Sequence, residues 1–262
     1  MSSIKIIDLL VAAMKQGGVQ IVDLTETLTP EFPVIEMLPP LKQGRPFTSE
    51  TISQYDDAGP SWYWNNISLS EHTGTHLDAP IHWVTGKDLP NNSVDTLAVE
   101  QFIAPACVID CSAEVAKEKG FILTRKHIET WERTHGQIEA GSWVFLRSDW
   151  RKVADAKNWT NRQVDGCHSP GPDVDAVKFL VDDRDVLGFG TETVGSDAGQ
   201  SFLFEPPYPV HEILNGGGKL GLQCMTKLDH LPPKGALIIA APLKIQNGSG
   251  SPLRVLAMVP SE

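Results

Sequence analysis

The chain has little of several things that would place it in other classes of protein. It holds four cysteines in 262 residues, Cys107, Cys111, Cys167 and Cys224, with no Cys-x-x-Cys pair. A chain of this length needs no disulfide staples, and Cys107 and Cys111 fall in an apolar, strand-like run. Reduced thiols and a cytoplasmic setting are therefore expected. Positive charge is scarce: 22 Lys and Arg face 33 Asp and Glu, a formal net charge of -11, and no basic cluster offsets it locally. Such a surface repels phosphate backbones and anionic lipid, so neither nucleic acid nor membrane is an expected partner. No long apolar run opens the sequence. "IKIIDLLVAAMK" at 4–15 has helical spacing, but Lys5 and Asp8 interrupt it and no basic region precedes it. An amphipathic helix is the expectation there, not a signal peptide. Internal repeats, low-complexity segments and interdomain linkers are lacking too, and "NGGGK" at 215–219 has no P-loop spacing and reads as a surface loop.

What is present is ordinary for a folded enzyme: 41% hydrophobic and 21% charged residues. A single domain over 1–262 is expected. Short runs rich in Val, Ile and Leu recur as "VQIVDLT" at 19–25, "ACVIDC" at 106–111, "SWVFLRSD" at 142–149, "DVLGFGTET" at 185–193 and "GALIIAAPLKI" at 235–245. Bounded by Gly, Pro, Asp or Asn, they suit buried strands. Helices are expected near Thr124–His135, with Thr124 as N-cap, and near Pro172–Asp182, led by Asp173. The alternation is α/β.

The stretch "SEHTGTHLDAPIHW" at 70–83 gathers His72, His76, His82 and Asp78 within eleven residues. On a helix, Asp78 would point about 200° away from His76, and Gly74 and Pro80 oppose a helix in any case. On a straight strand His72 and Asp78 share a face but stand about 20 Å apart, at roughly 3.3 Å per residue. A metal accepts ligand atoms at about 2.0–2.3 Å. The backbone must therefore bend between His72 and Asp78. Gly74 can take that bend, and Pro80 fixes the exit. Two imidazoles and a carboxylate on one ion make a mixed N/O site with positions open to water and substrate, which suits hydrolysis or hydration. Each histidine alone also has a plain reading as a hydrogen-bonded side chain.

His72-x-Gly74-Thr75-His76-x-Asp78-x-Pro80-x-His82 resembles, in full, the signature of the cyclase family of metal-dependent hydrolases. "VDLTETLTP" at 22–30, "HSPGP" at 168–172 and "GFGTETVGSDAG" at 188–199 extend the resemblance over most of the chain. Within the family it is similar to the isatin hydrolases, through "SQYDDAGP" at 53–60, "EPPYPVH" at 205–211 and "APLKIQNGSGSP" at 241–252, and more distantly to bacterial kynurenine formamidases. The resemblance implies the swivelling β/β/α fold of the family, a homodimer, and opening of the lactam of isatin to isatinate by a metal-bound hydroxide. The alternative within the family is N-formylkynurenine hydrolysis. It implies His72, His76 and Asp78 as metal ligands and His82 as proton carrier. It also implies Mn(II) as with isatin hydrolases, or Zn(II) as with the formamidases. Two-metal members add a later His and, twelve positions on, a Glu. His211 matches the first, but Gln223 stands at the second, so one ion per subunit is expected.

Trp62 and Trp64 would share a face of an extended segment, and with Trp83 they flank the motif as stacking surfaces for a small aromatic amide. Their plain reading is core or dimer packing. His211 is a further candidate for substrate contact. Cys224, beside Gln223, is expected to line a path by which the released proton leaves, against a plain reading as inert packing. A reading of another class also stands: a catalytically silent protein that binds a small ligand on the same fold, with the absent Glu as a mark of decay.

Overall fold

The apolar runs become strands of one mixed sheet. The computed structural model describes residues 3–37, 39–155 and 157–261. In chain order the main strands are β1 (Val19–Asp23), β2 (Thr48–Asp56), β3 (Gly59–Ser68), β4 (His76–Asp78), β5 (Ile103–Asp110), β6 (Trp143–Arg147), β7 (Gly188–Thr191), β8 (Leu220–Gln223), β9 (Lys234–Ile239), β10 (Gly250–Pro252) and β11 (Leu256–Pro260). All but β2 and β3 lie in a nine-stranded sheet of order β1-β11-β9-β5-β6-β7-β8-β4-β10. Strands β5 to β8 run parallel to one another. Every other pairing in the sheet is antiparallel. Parallel strands are covered on both faces, which is why β6, β7 and β8 read as continuous apolar runs and are buried almost throughout.

One face of the sheet packs Ile109, Val144, Leu146 and Phe189 against helix residues Ile128, Trp131, Val177 and Leu180. The other packs Val108, Phe145 and Leu222 against Val22, Leu24, Leu77 and Val255. That second core lies inside a curl. Thr226 N donates to Leu24 O, and Glu26 N donates to Thr75 Oγ1 at 2.9 Å, so the β1 end of the sheet is drawn toward β8 and β4. The result is a single α/β domain with a curled sheet.

Helices follow their caps. α1 runs Ser3–Lys15. α2 runs Arg125–His135 from N-cap Thr124, which exchanges a capping box with His127. α3 is shorter than expected: Asp173 accepts from Ala176 N at 2.7 Å, the α-helix covers only Val174–Lys178, and a π-helical turn continues through Phe179–Asp183. The run at 235–245 also leaves the sheet early, at Ile239, ahead of Pro242, which has no N–H to give a ladder. Two apolar surfaces find no cover among the described residues. On α1, Ile6, Ile7, Leu9, Val11 and Met14 are exposed, and the β2–β3 hairpin, which the pattern did not foretell, exposes Tyr55, Trp62, Tyr63, Trp64 and Ile67. No described helix is long and apolar enough to cross a membrane.

Candidate metal centre

Residues 72–82 fold as a tight bend, the three-residue strand β4 and a 3-10 turn. The bend falls at Gly74, whose φ is +70°, and a Cβ there would lie 2.3 Å from Leu28 Cδ2. Conformation favours glycine there, and any side chain would also have to displace that of Leu28. Strand β4 then places His76 and Asp78 on one face, with Gln223 and Gly221 opposite them on β8. Pro80 opens the turn Pro80–His82. It returns His82 against His72, with ring centroids 3.9 Å apart. Gly250 backs the cluster: a Cβ at that position would lie 2.5 Å from His72 Cε1.

Hydrogen bonds settle which ring nitrogens face inward. The one hydroxyl proton of Ser249 goes to Glu71 Oε2 at 2.6 Å, so Ser249 Oγ accepts from His72 Nε2 at 2.9 Å. In the neutral ring His72 Nδ1 then carries no proton, and it lies 2.7 Å from Asp78 Oδ1. His76 Nδ1 donates to Gly74 O at 2.7 Å, which leaves Nε2 bare, 3.4 Å from the same Oδ1. Two bare nitrogens aimed at a carboxylate oxygen repel one another unless a cation lies among them, so the donor set fits a metal. Asp78 is the anion of the set. Burial alone would raise its carboxyl, but His76 and His72 hold it well below the usual carboxylate range.

Distance alone would choose His82 over His76, since ligand-capable atoms of His72, Asp78 and His82 lie within 4.8 Å of one another. Its environment differs. Metal-bound imidazoles have their second nitrogen held by an outer partner, as His72 and His76 do, and no such anchor holds the His82 ring among the described residues. Burial, opposed by Asp78 and aided by His72 and His211, pushes its imidazole down to about 4, so it is neutral near pH 7.

The other carboxylate oxygen of Asp78 meets different groups. Gln223 Nε2 donates to Oδ2, and Gln223 Oε1 accepts from Gly195 N at 2.9 Å. Because a backbone N–H can only donate, Gly195 fixes the amide with its nitrogen toward Asp78. His211 Nε2 lies 3.9 Å from the same Oδ2. His211 rides on the π-helical turn Val210–Asn215, a rare geometry that is frequent at functional sites. Its Nδ1 is 2.5 Å from Asp197 Oδ2. Burial would lower the His211 imidazole, but the bond and charge of Asp197 raise it.

Trp83 forms an aromatic wall: its ring lies 4.8 Å from His211 and 5.9 Å from Tyr208, and its Nε1 donates to Glu212 Oε2 at 2.7 Å. Trp62 and Trp64 are not brought to this wall; they stand on the hairpin, 51% and 55% exposed. Cys224 is buried just after Gln223 at the end of β8. Its N donates to Thr193 O and its carbonyl accepts from Thr75 Oγ1 at 2.6 Å. Burial, with Glu26 and Asp78 nearby, pushes its thiol well up, so it is uncharged. Glu71, Ser249 and Asp197 were not foreseen. Only the presence of an acidic residue or hydroxyl somewhere in the chain could have signalled them, because Ser249 is 178 residues from Glu71 and Asp197 is 14 from His211.

The Cyclase family model, described as "Putative cyclase", matches residues 22–198, more than half of the chain. An isatin hydrolase of Roseibium aggregatum is 46% identical over 251 residues, covering 95% of each chain. A crystal structure of an isatin hydrolase bound to the product analogue thioisatinate superimposes with a TM-score of 0.97 at 44% identity, covering 100% of each chain. A kynurenine formamidase of Salinibacter ruber is more distant, 28% identical over 195 residues, which cover 73% of this chain and 77% of the relative.

Proposed function

The chain belongs to the cyclase family, and on that premise we propose that it is a metal-dependent amidohydrolase that opens the lactam ring of isatin to isatinate. The observation that carries this is the 46% identity to an isatin hydrolase across 95% of both chains. The converging atoms of His72, His76 and Asp78 supply the chemistry to match. Those three residues would hold one divalent ion per chain, with His72 Nδ1, His76 Nε2 and Asp78 Oδ1 as the available donors. The mixed N/O set accommodates several divalent metals, and the likeness to isatin hydrolases favours Mn(II) over Zn(II). When bound, the ion supplies Lewis acidity to an amide carbonyl and acidifies water. His82, neutral and held against His72, accepts the proton of the attacking water and passes it toward the departing nitrogen. Gln223 supports a count of one ion, because its amide N–H already occupies the second oxygen of Asp78.

Trp83 and His211 form the substrate wall. Trp62 and Trp64 add to it only where the hairpin reaches a second copy, and a homodimer gives the exposed residues of α1 and the hairpin an apolar partner. Cys224, buried and within the charge influence of Glu26 and Asp78, lines the way out for the proton. Its three companions are free thiols as well, which agrees with a reducing, cytoplasmic setting.

The test is to purify the chain with Mn(II), measure bound metal, and follow the visible absorbance of isatin. Bleaching of isatin with one ion per chain is expected. Much faster turnover of N-formylkynurenine would replace the substrate. Stoichiometric ligand binding without turnover over a panel of amides and lactones would make the chain a binding protein.

A further inference from the structure

We infer that Asp197 is a positioning residue of the site, which locks His211 so that only its Nε2 is offered to substrate. The inference rests on the hydrolase reading above for its activity test, but not for its spectroscopic one. Asp197 is only 7% exposed, and both its oxygens are engaged by the turn that carries His211. Oδ1 accepts from Val210 N at 2.7 Å; Oδ2 accepts from His211 Nδ1 at 2.5 Å and, at 3.4 Å, from His211 N. One carboxylate thus fixes the start of the turn, the rotation of the ring and the place of a ring proton. With Nδ1 committed to Asp197, Nε2 faces the cluster, 3.9 Å from Asp78 Oδ2 and beside Trp83. The side of the ring that reaches a substrate is therefore chosen by a residue that does not itself reach the site.

Asp197→Asn separates this role from simple packing. The amide keeps the shape of the carboxylate but has one acceptor oxygen. Val210 N–H cannot reverse its role, whereas an imidazole can exchange tautomers, so the amide oxygen stays with Val210 and its NH2 turns to His211 Nδ1. That drives the ring proton to Nε2. We expect kcat/KM for isatin to fall about 10–100-fold with metal content unchanged. Asp197→Glu, which keeps the acceptor charge, should recover part of the loss. In a His211→Ala background the same Asp197→Asn change should cost less than about twofold, because the group it acts through is gone. In Zn(II)-loaded protein with 15N-labelled histidine, His211 Nδ1 should carry a proton in the wild type and not in Asp197→Asn. Equal losses in both backgrounds would overturn the inference, as would a wild-type His211 protonated only at Nε2. If the wild type does not hydrolyse isatin, the hydrolase reading fails, and the nitrogen spectra still decide the role of Asp197.

Discussion

Gln223→Glu tests the proposal that the chain holds one ion. In the wild type the amide donates to Asp78 Oδ2 and accepts from Gly195 N, so both carboxylate oxygens of Asp78 have distinct partners. The substitution keeps the acceptor for Gly195 but sets a second carboxylate oxygen against Asp78. Lost with the amide is a charge-assisted hydrogen bond, about 1.5–3 kcal/mol in stability. Gained is like-charge contact, which two buried carboxylates relieve only by sharing a proton or a cation. At about 2–4 °C per kcal/mol, the metal-free variant should melt about 3–12 °C below the wild type. Divalent metal should restore the difference, because Asp78 Oδ2, the introduced carboxylate and His211 Nε2, 3.9 Å from Oδ2, then form a second donor set. Metal titrated into the apoprotein, read by calorimetry and elemental analysis, should saturate at two ions in the variant and one in the wild type. Gln223→Leu, which removes the donor without adding charge, should lose stability and bind no second ion. A Gln223→Glu variant that melts with the wild type and saturates at one ion would refute the reasoning.

Other outcomes follow from single contacts. Asp78→Ala should abolish metal binding, since it removes the only anion of the donor set, whereas His82→Ala should keep the metal and lose about 10²–10⁴-fold in kcat; equal metal loss in elemental analysis of the two would make His82 a ligand. Cys224→Ser should leave metal content and fold intact but change turnover and its pH profile, because a hydroxyl orders water better than a thiol; an unchanged profile would leave Cys224 as packing. Away from the site, Glu132 accepts from Arg184 Nε and Nη2 at 2.6 and 2.7 Å. Burial opposes its charge, yet Arg184 and Ile138 N hold the carboxyl below its ordinary value. A depressed folded pKa stabilises above the unfolded value and is lost as pH falls through the folded one. Metal-free Glu132→Gln should therefore melt below the wild type at pH 7, with the gap closing as pH drops below about 4; a gap independent of pH would exclude the ion pair as its source.

What the sequence made legible was local. The clustering of His72, His76, Asp78 and His82 could be read because its constraints are carried within eleven residues: even spacing, one glycine able to bend at φ +70° and one proline at the exit. The parallel strands could be read because burial on both faces leaves unbroken apolar runs. The β2–β3 hairpin could not. Its apolar residues are turned away from the core of its own chain, so neither alternation nor a run marks them. Strand β4 was seen as ligands and not as a strand, because three residues ending beside a proline give no period to detect.

The groups that stayed hidden share one property: each acts on a histidine of the site from a different segment of the chain. Ser249 comes from the segment leading into β10, and Asp197 from the loop after β7. Neither position has a local reason to be a hydroxyl or an acid. Each becomes necessary only once the strand order of the sheet brings β4, β8 and β10 side by side. The sheet thus does two separate jobs. Its curl closes a core around Leu77 and Leu222, and its strand order delivers to two of the inward-facing imidazoles, His72 and His211, the outer partner that decides which nitrogen each presents. A chain with the full His72–His82 signature but without those distant partners would keep the donors and lose control of their protons. The partners therefore separate a working site from a decayed one more sharply than the signature does.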